Sequence, residues 1–237
     1  MAGLKTKTLR GAFLSWKPVL MIRLKKYIFI ILAFCISSSA TSSELPAGFS
    51  KLKDIAPDIK EDIRYYGSHN FTGHTVPGYK SPECWLRTEV AQALKKAQID
   101  AQVLGLNLVV FDCYRPQRAV LSFINWAATN NEATKKEFYP NVEKKKLFEQ
   151  GYIAEKSMHS TGLAVDIGIK GLNFGTPFDF FGKESWTENT RTTKVAENRK
   201  LLSHLLSQHN FTNYPREWWH FTYKAAIDAP VYDIEIE

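Results

Sequence analysis

The chain has 237 residues, of which 44% are hydrophobic and 13% aromatic. This length and apolar content suffice for one globular domain and are low for two. Seven of its 31 Lys and Arg residues lie in residues 1–40, which contain no Asp or Glu, and the remaining 24 balance 24 Asp and Glu residues. The formal charge of +7 therefore belongs to the N-terminus, and the neutral remainder argues against a nucleic-acid-binding protein with a basic surface.

Residues 1–40 have the pattern of a leader that ends in an export signal. Arg23, Lys25 and Lys26 precede an apolar run of ten residues, "YIFIILAFCI", and the small residues "SSSA" follow it. That run is shorter than the roughly 20 residues needed to cross a bilayer. We predict a signal peptide with Met21 as an alternative start, cleaved after Ala40, so that residues 41–237 become periplasmic or secreted and meet the membrane only during export. A lipid anchor on Cys35 is the competing interpretation.

Hydrophobic spacing along the rest of the chain predicts a mixture of helices and strands. In chain order these are a helix over 87–105 that stops at Gly105, a strand over 106–114, a helix over 116–129 with Pro116 in its first turn, a partly helical charged segment over 130–151, a strand over 163–170, an amphipathic helix over 192–210 and a strand over 218–224. Helices and strands do not alternate as in a doubly wound sheet. The pattern favours a single α+β domain over 41–237, with helices packed on a central antiparallel sheet.

Two cysteines remain after the leader, Cys84 and Cys113. An exported protein meets an oxidising compartment, in which they could form a disulfide. Because Cys113 lies in the predicted buried strand over 106–114, we favour a free buried thiol there.

His159 and Asp166 stand seven positions apart in "SMHSTGLAVD". Strand alternation sends Asp166 away from the face of Val165 and Ile167, and a buried carboxylate is costly unless it is paired or binds a metal. The residues alone fit a structural Asp–His hydrogen bond as well as a metal site.

The stretch "EWWH" contains a second histidine with an acidic neighbour. Glu217 and His220 would point to opposite faces of a uniform strand, so they converge only if Glu217 lies in the turn before the strand. The alternative is that the two tryptophans anchor the core while Glu217 pairs with Arg216 or Lys224 on the surface.

Taken together, these residues form a set that suits catalysis. Two histidines and one aspartate can hold zinc and leave a position for water, and a nearby carboxylate can accept the proton of that water. Arg115, in "DCYRP" at the end of a predicted strand, could stabilise an oxyanion, although an arginine in a turn is more often simply solvated.

The sequence resembles the D-alanyl-D-alanine dipeptidases, zinc peptidases related to D,D-carboxypeptidases and to the hedgehog signalling domain. "SMHSTGLAVD" matches the S-x-H-x-x-G-x-A-x-D signature, "EWWH" matches E-x-x-H, and "DCYRP" matches the arginine motif. Further similarity lies in "RYYGSHNFTG", "SFINWAA" and "GTPFDFF", so that the resemblance extends over about 52–223.

The resemblance implies the zinc chemistry of the site. His159, Asp166 and His220 match the ligands of one Zn²⁺ per chain, which would lie in a cleft. Glu217 matches the general base, which takes a proton from zinc-bound water and delivers it to the leaving amine. Arg115 matches the group that polarises the scissile carbonyl.

The resemblance also implies the substrate, a free D-alanyl-D-alanine dipeptide bound in a small closed site. Ser157, Tyr65 and Asp179 match positions that contact the dipeptide. An exported enzyme of this kind would act in cell-wall turnover or nutrient recovery.

Three other functions fit parts of the pattern. A carboxypeptidase or endopeptidase acting on peptidoglycan stem peptides would use the same zinc chemistry in a more open cleft. A non-catalytic zinc-binding recognition module would not require both Glu217 and Arg115. An iron oxygenase also uses two histidines and a carboxylate, but its usual H-x-D spacing is absent here.

Overall fold

The structure is a computed structural model that describes Gly3, residues 45–224 and residues 229–237. The strands are β1 (Phe49–Lys51), β2 (Lys60–Glu61), β3 (Trp85–Arg87), β4 (Leu108–Asp112), β5 (Ala164–Ile169), β6 (Phe211–Asn213) and β7 (His220–Tyr223). The α-helices are α1 (Leu52–Ile55), α2 (Thr88–Val103), α3 (Gln117–Ala127), α4 (Lys135–Phe138) and α5 (Thr193–Ser207). Short 3-10 helices cover Arg64–Tyr66, Lys144–Lys146, Met158–Thr161 and Lys183–Ser185.

A five-stranded sheet with the order β2-β4-β5-β7-β6 forms the centre of the fold, and β1 pairs with β3 in a separate antiparallel ribbon. The pairs β4–β5, β5–β7 and β6–β7 are antiparallel, as expected, whereas β2 lies parallel to β4 at the edge. Residues Ser42–Glu237 form one compact unit. The α+β class and the single domain predicted from the sequence are confirmed.

The register of the central strands places three polar residues in one row across the sheet. A bulge between Val110 and Asp112 in β4 brings Asp112 opposite Asp166 of β5, and Asp166 in turn lies opposite His220 of β7. Every residue of β5 is buried, and Asp112 and Asp166 are both buried in this row. The row of polar residues therefore lies inside the fold.

The two long helices follow the periodicity that predicted them. In α2 the buried residues include Val90, Ala91, Leu94, Ala97 and Ala101, and Gly105 follows with a φ of +72°. In α5 the inward residues Val195, Leu202 and Leu205 are buried, while Leu201 is half-buried. The charged segment is helical only over α4 and one 3-10 turn.

Cys84 and Cys113 form a disulfide, so the expectation of a free thiol at Cys113 was wrong. The cysteines flank neighbouring chain segments, Cys84 just before β3 and Cys113 just after β4. The backbone amide of Tyr114 donates to the carbonyl of Trp85 at 2.8 Å, which brings the two segments side by side. The strand pattern could not predict this pairing, because it arises from the approach of two distant segments.

The predicted signal peptide and its cleavage site lie outside the described residues. Within the described residues, no helix combines the length and the apolar character needed to cross a membrane.

Candidate metal centre and active site

Three side chains from the central sheet and the turn before it converge on one point. His159 Nε2 lies 3.2 Å from Asp166 Oδ1 and 3.1 Å from His220 Nδ1. His220 Nδ1 lies 3.0 Å from Asp166 Oδ1. Asp166 comes from β5, His220 from the start of β7, and His159 from the 3-10 turn Met158–Thr161 that precedes β5. The structure thus brings together the three residues that the sequence predicts as metal ligands.

The turn that carries His159 is fixed by its neighbours at both ends. The Ser157 hydroxyl accepts a hydrogen bond from the His159 amide at 3.2 Å and caps the turn. Gly162 ends it with a φ of +77°, and a Cβ at this position would lie 2.5 Å from the ring of Phe49. Only glycine fits both requirements, which explains the G in the sequence motif.

The second nitrogen of His159 sets the orientation of its ring. Nδ1 donates to the backbone carbonyl of Cys113 at 2.7 Å, so in the neutral imidazole Nε2 carries the lone pair. That lone pair faces Asp166 Oδ1, and a cation between the two would stabilise the arrangement. A histidine held in this way by a carbonyl is the usual outer support of a metal ligand.

The spacing of the three ligand atoms fits zinc. Zinc binds imidazole nitrogen and carboxylate oxygen at about 2.0–2.2 Å, so ligand atoms around a tetrahedral ion lie roughly 3.3 Å apart. The observed separations of 3.0–3.2 Å are close to this value. Three protein ligands also leave the fourth position for water or substrate, which is typical of catalytic zinc sites.

Glu217 lies in the turn before β7, as convergence on the site requires. Its Oε2 atom lies 3.8 Å from His220 Nδ1, and its side chain is 14% exposed. Arg216 does not pair with it but donates to the carbonyl of Gln150 at 2.8 Å. Trp218 and Trp219 are buried in the core, so they anchor the turn while Glu217 faces the candidate metal site.

Arg115 follows β4 and reaches inward. Its guanidinium donates through Nε to Asp112 Oδ2 at 2.8 Å and through Nη2 to Asp166 Oδ2 at 3.3 Å, and Nη2 also lies 2.7 Å from Asp112 Oδ2 as an ion pair. The rings of Tyr65 and Phe123 pack against it, with their centroids 5.1 Å and 5.3 Å from Cζ. Arg115 is thus enclosed by the protein and is not the solvated turn residue of the alternative interpretation.

A cavity of about 240 Å³ opens beside this cluster. All the predicted site residues except Asp166 line it, namely Tyr65, Arg115, Ser157, His159, Asp179, Glu217 and His220. Tyr65 donates to Asp179 Oδ1 at 3.1 Å, whereas Asp179 Oδ2 is buried and has no hydrogen-bond partner. Asp179 also has a φ of +62°, a strained conformation for a residue other than glycine and one that concentrates at functional sites.

Burial and neighbouring charges together set the pKa values of the three carboxyl groups. Burial raises the pKa of Glu217 to about 7, against the opposing influence of His220. Burial, followed by the charge of Asp166, raises the pKa of Asp179 well above its usual range. Burial would also raise the pKa of Asp166, but the two histidines outweigh it and lower that pKa. Asp166 therefore stays ionised as a ligand, and Glu217 is poised to exchange a proton near neutral pH.

Sequence reasoning missed two residues that contact the site residues, Asp112 and Tyr79. Asp112 is fully buried, and it accepts from Tyr79 at 2.6 Å as well as from Arg115. The available signal was an Asp at the end of an apolar strand, three residues before the arginine.

Two imidazoles, a carboxylate, an adjacent protonatable carboxyl and a buried arginine around one cavity are the groups of a metallopeptidase site. The family model described as D-ala-D-ala dipeptidase (Peptidase_M15) matches residues 46–236. The chain belongs to this family.

Proteins named D-alanyl-D-alanine dipeptidase are similar to the chain over most of their length. The one from Enterococcus faecium is 36% identical over 182 residues, which cover 73% of this chain and 90% of that protein. The one from Enterococcus faecalis is 36% identical over 194 residues, covering 78% of this chain and 95% of that protein. The one from Streptomyces coelicolor is 33% identical over 184 residues, covering 74% of this chain and 91% of that protein.

Proposed function

We propose that the chain is a zinc-dependent dipeptidase that hydrolyses D-alanyl-D-alanine to two molecules of D-alanine. The observation that carries this proposal is the convergence of Glu217 and Arg115 on the cavity beside His159, Asp166 and His220. Family membership and the named relatives support the choice of substrate.

His159, Asp166 and His220 would hold one zinc ion per chain. When bound, zinc acts as a Lewis acid that lowers the pKa of a water molecule from about 16 towards about 7 and polarises a carbonyl group. The remaining steps depend on the side chains around it.

Glu217 moves the proton. Its ionised carboxylate accepts a proton from the attacking water, whose oxygen adds to the carbonyl carbon of the peptide bond. The same carboxyl then donates that proton to the departing nitrogen as the carbon–nitrogen bond breaks. A carboxyl with a pKa of about 7 suits both steps at neutral pH.

Arg115 stabilises the oxygen that becomes negatively charged during attack. It lines the cavity and remains cationic: burial acts to lower its pKa, but the charge of Asp112 together with Tyr65, Tyr79 and Asp166 outweighs burial and raises that pKa. Donors of this kind act mainly on the transition state, because the charge they stabilise develops there.

Asp179 and Tyr65 are suited to bind the ammonium end of the dipeptide. Asp179 Oδ2 is a buried acceptor without a partner, and such an atom is costly unless a ligand satisfies it. Ser157 also lines the cavity, where its hydroxyl caps the turn of His159. The cavity of about 240 Å³ is smaller than the roughly 300–1,000 Å³ of drug-sized pockets, which favours a dipeptide over a longer peptide.

The choice between a dipeptidase and a stem-peptide carboxypeptidase is tested by comparing two substrates. Purified residues 42–237 loaded with zinc should hydrolyse free D-alanyl-D-alanine with a kcat/KM at least about a hundredfold above that for a pentapeptide ending in the same two residues. A preference for the pentapeptide would replace the proposal with the carboxypeptidase function.

We further propose that the protein is exported and acts outside the cytoplasm, where it would meet dipeptide derived from the cell wall. The N-terminal pattern of basic residues, short apolar run and small residues supports export. The Cys84–Cys113 disulfide adds support, since disulfides persist mainly in oxidising compartments. Full-length protein in the cytosolic fraction of the native cell would contradict this proposal, and an N-terminus at residue 41 would support it.

A further inference from the structure

Asp112 is the buried carboxylate nearest to Arg115, and the mechanism above gives it no role. It ends β4, is fully buried, and does not belong to the described residues that line the cavity. Both of its oxygens are occupied. Oδ1 accepts from the Tyr79 hydroxyl at 2.6 Å, and Oδ2 accepts from Arg115 Nε at 2.8 Å and lies 2.7 Å from Nη2 of the same guanidinium.

Stability alone is a poor explanation for this ion pair. Desolvating two charges costs about as much as their attraction returns, so apolar side chains of similar volume would serve the fold as well. The geometry of the pair is a better explanation. The hydrogen bond from Nε and the close ion pair with Nη2 hold one edge of the guanidinium against Asp112, and the guanidinium packs over the rings of Tyr65 and Phe123.

The same carboxylate also stands close to the metal centre. Asp112 Oδ2 lies 3.5 Å from His159 Nδ1, whose proton is donated to the adjacent Cys113 carbonyl. The bulge in β4 also places Asp112 opposite the ligand residue Asp166 in the sheet. Asp112 thus links the strand that carries the ligand Asp166 to the arginine that faces the cavity.

We propose that Asp112 is a positioning residue that holds Arg115 in the orientation needed to stabilise the oxyanion, and that Tyr79 in turn holds Asp112. This inference rests on the proposed function. Asp112 does not line the cavity, and the role inferred for it is exerted through Arg115.

The test is a double-mutant cycle on the zinc-loaded protein with D-alanyl-D-alanine. Asp112→Asn keeps the shape of the side chain and removes its charge. We expect its kcat to fall about 10- to 100-fold, with KM changed less than about threefold and one zinc per chain retained. In the background of Arg115→Ala, the same substitution should change kcat less than about threefold, because the residue it positions is already gone.

A second variant tests the same inference if Asp112→Asn folds poorly, and a control variant accompanies both. Tyr79→Phe removes one hydrogen bond from Asp112 and keeps the charge pair, so kcat should fall about two- to tenfold, and again much less without Arg115. Glu61→Gln is the matched control, since Glu61 accepts from the Cys84 amide at 2.8 Å outside the cavity, and it should leave kcat unchanged.

The inference is wrong if the effect of these substitutions on kcat does not depend on the presence of Arg115. If Asp112→Asn or Tyr79→Phe lowers kcat by the same factor with and without Arg115, the role of Asp112 is structural. A wild-type kcat in both variants would also overturn it. If the wild-type protein with zinc does not hydrolyse the dipeptide at all, the proposed function fails first and this inference fails with it.

Discussion

Glu217 Oε2 lies 3.8 Å from His220 Nδ1, although residues three apart on a regular strand face opposite sides of a sheet. The turn before β7 makes this approach feasible, and the His220 amide donates to the Glu217 carbonyl at 3.3 Å across it. The histidine can therefore bind the metal while the carboxylate stays beside it. This division of roles separates a catalytic centre from a purely structural metal site.

Substitution of Glu217 should remove turnover without removing the metal. Glu217→Gln keeps the shape of the side chain but cannot accept the proton, so we expect kcat to fall at least about a hundredfold with the zinc content unchanged. Exposed Glu197 in α5 is a suitable control, and Glu197→Gln should retain full activity. If Glu217→Gln keeps its kcat, the chain is better explained as a non-catalytic zinc-binding module.

The pH profile should show the ionisation of the same group. Burial raises the pKa of Glu217 to about 7 in the metal-free protein, and a bound cation opposes that rise. Because the ionised form is the base, kcat/KM should be high above this pKa and fall as the pH drops through it. We expect an acid limb with a midpoint at or below about 7 in the zinc-loaded enzyme. A rate that increases as the pH falls from 7 to 5 would be inconsistent with Glu217 as base.

The disulfide should contribute strongly to stability. It joins residues 29 apart, and the entropy that the unfolded chain loses when a loop of this size is closed raises its free energy by about 3–4 kcal/mol at 25 °C. The double variant Cys84→Ser/Cys113→Ser should lose a similar free energy of unfolding, measured with urea against the oxidised wild type. A loss below about 1 kcal/mol would show that native strain or residual structure cancels the entropic gain.

Helix and strand periodicity predicted the parts of the fold that are long enough to show it. Both long helices and the strands β4, β5 and β7 lie within their predicted ranges. The strands β1, β2, β3 and β6 have only two or three residues, too few for a recognisable alternation. The parallel β2 depends on its pairing with β4 and has no local signal.

The site residues also fall into two groups, those that a local sequence motif identifies and those that only the pairing of distant segments places. The motifs around His159, Asp166, Glu217 and His220 identified the residues that converge, but not the distances between them. Asp112 was missed because an Asp after an apolar run usually begins a turn, and only the register of β4 with β5 places it beside Arg115. The Cys113 carbonyl that orients His159 has no side-chain signal at all.

Hydrolysis of the four stereoisomers of Ala-Ala, before and after chelation of zinc, tests the proposed function most directly. Purified residues 42–237 should cleave D-alanyl-D-alanine, prefer it to the L,L isomer by at least about a hundredfold, lose activity on chelation and regain it with one equivalent of zinc. If the protein binds one zinc per chain and leaves all four dipeptides intact, or if chelation has no effect on the rate, the proposed function is wrong.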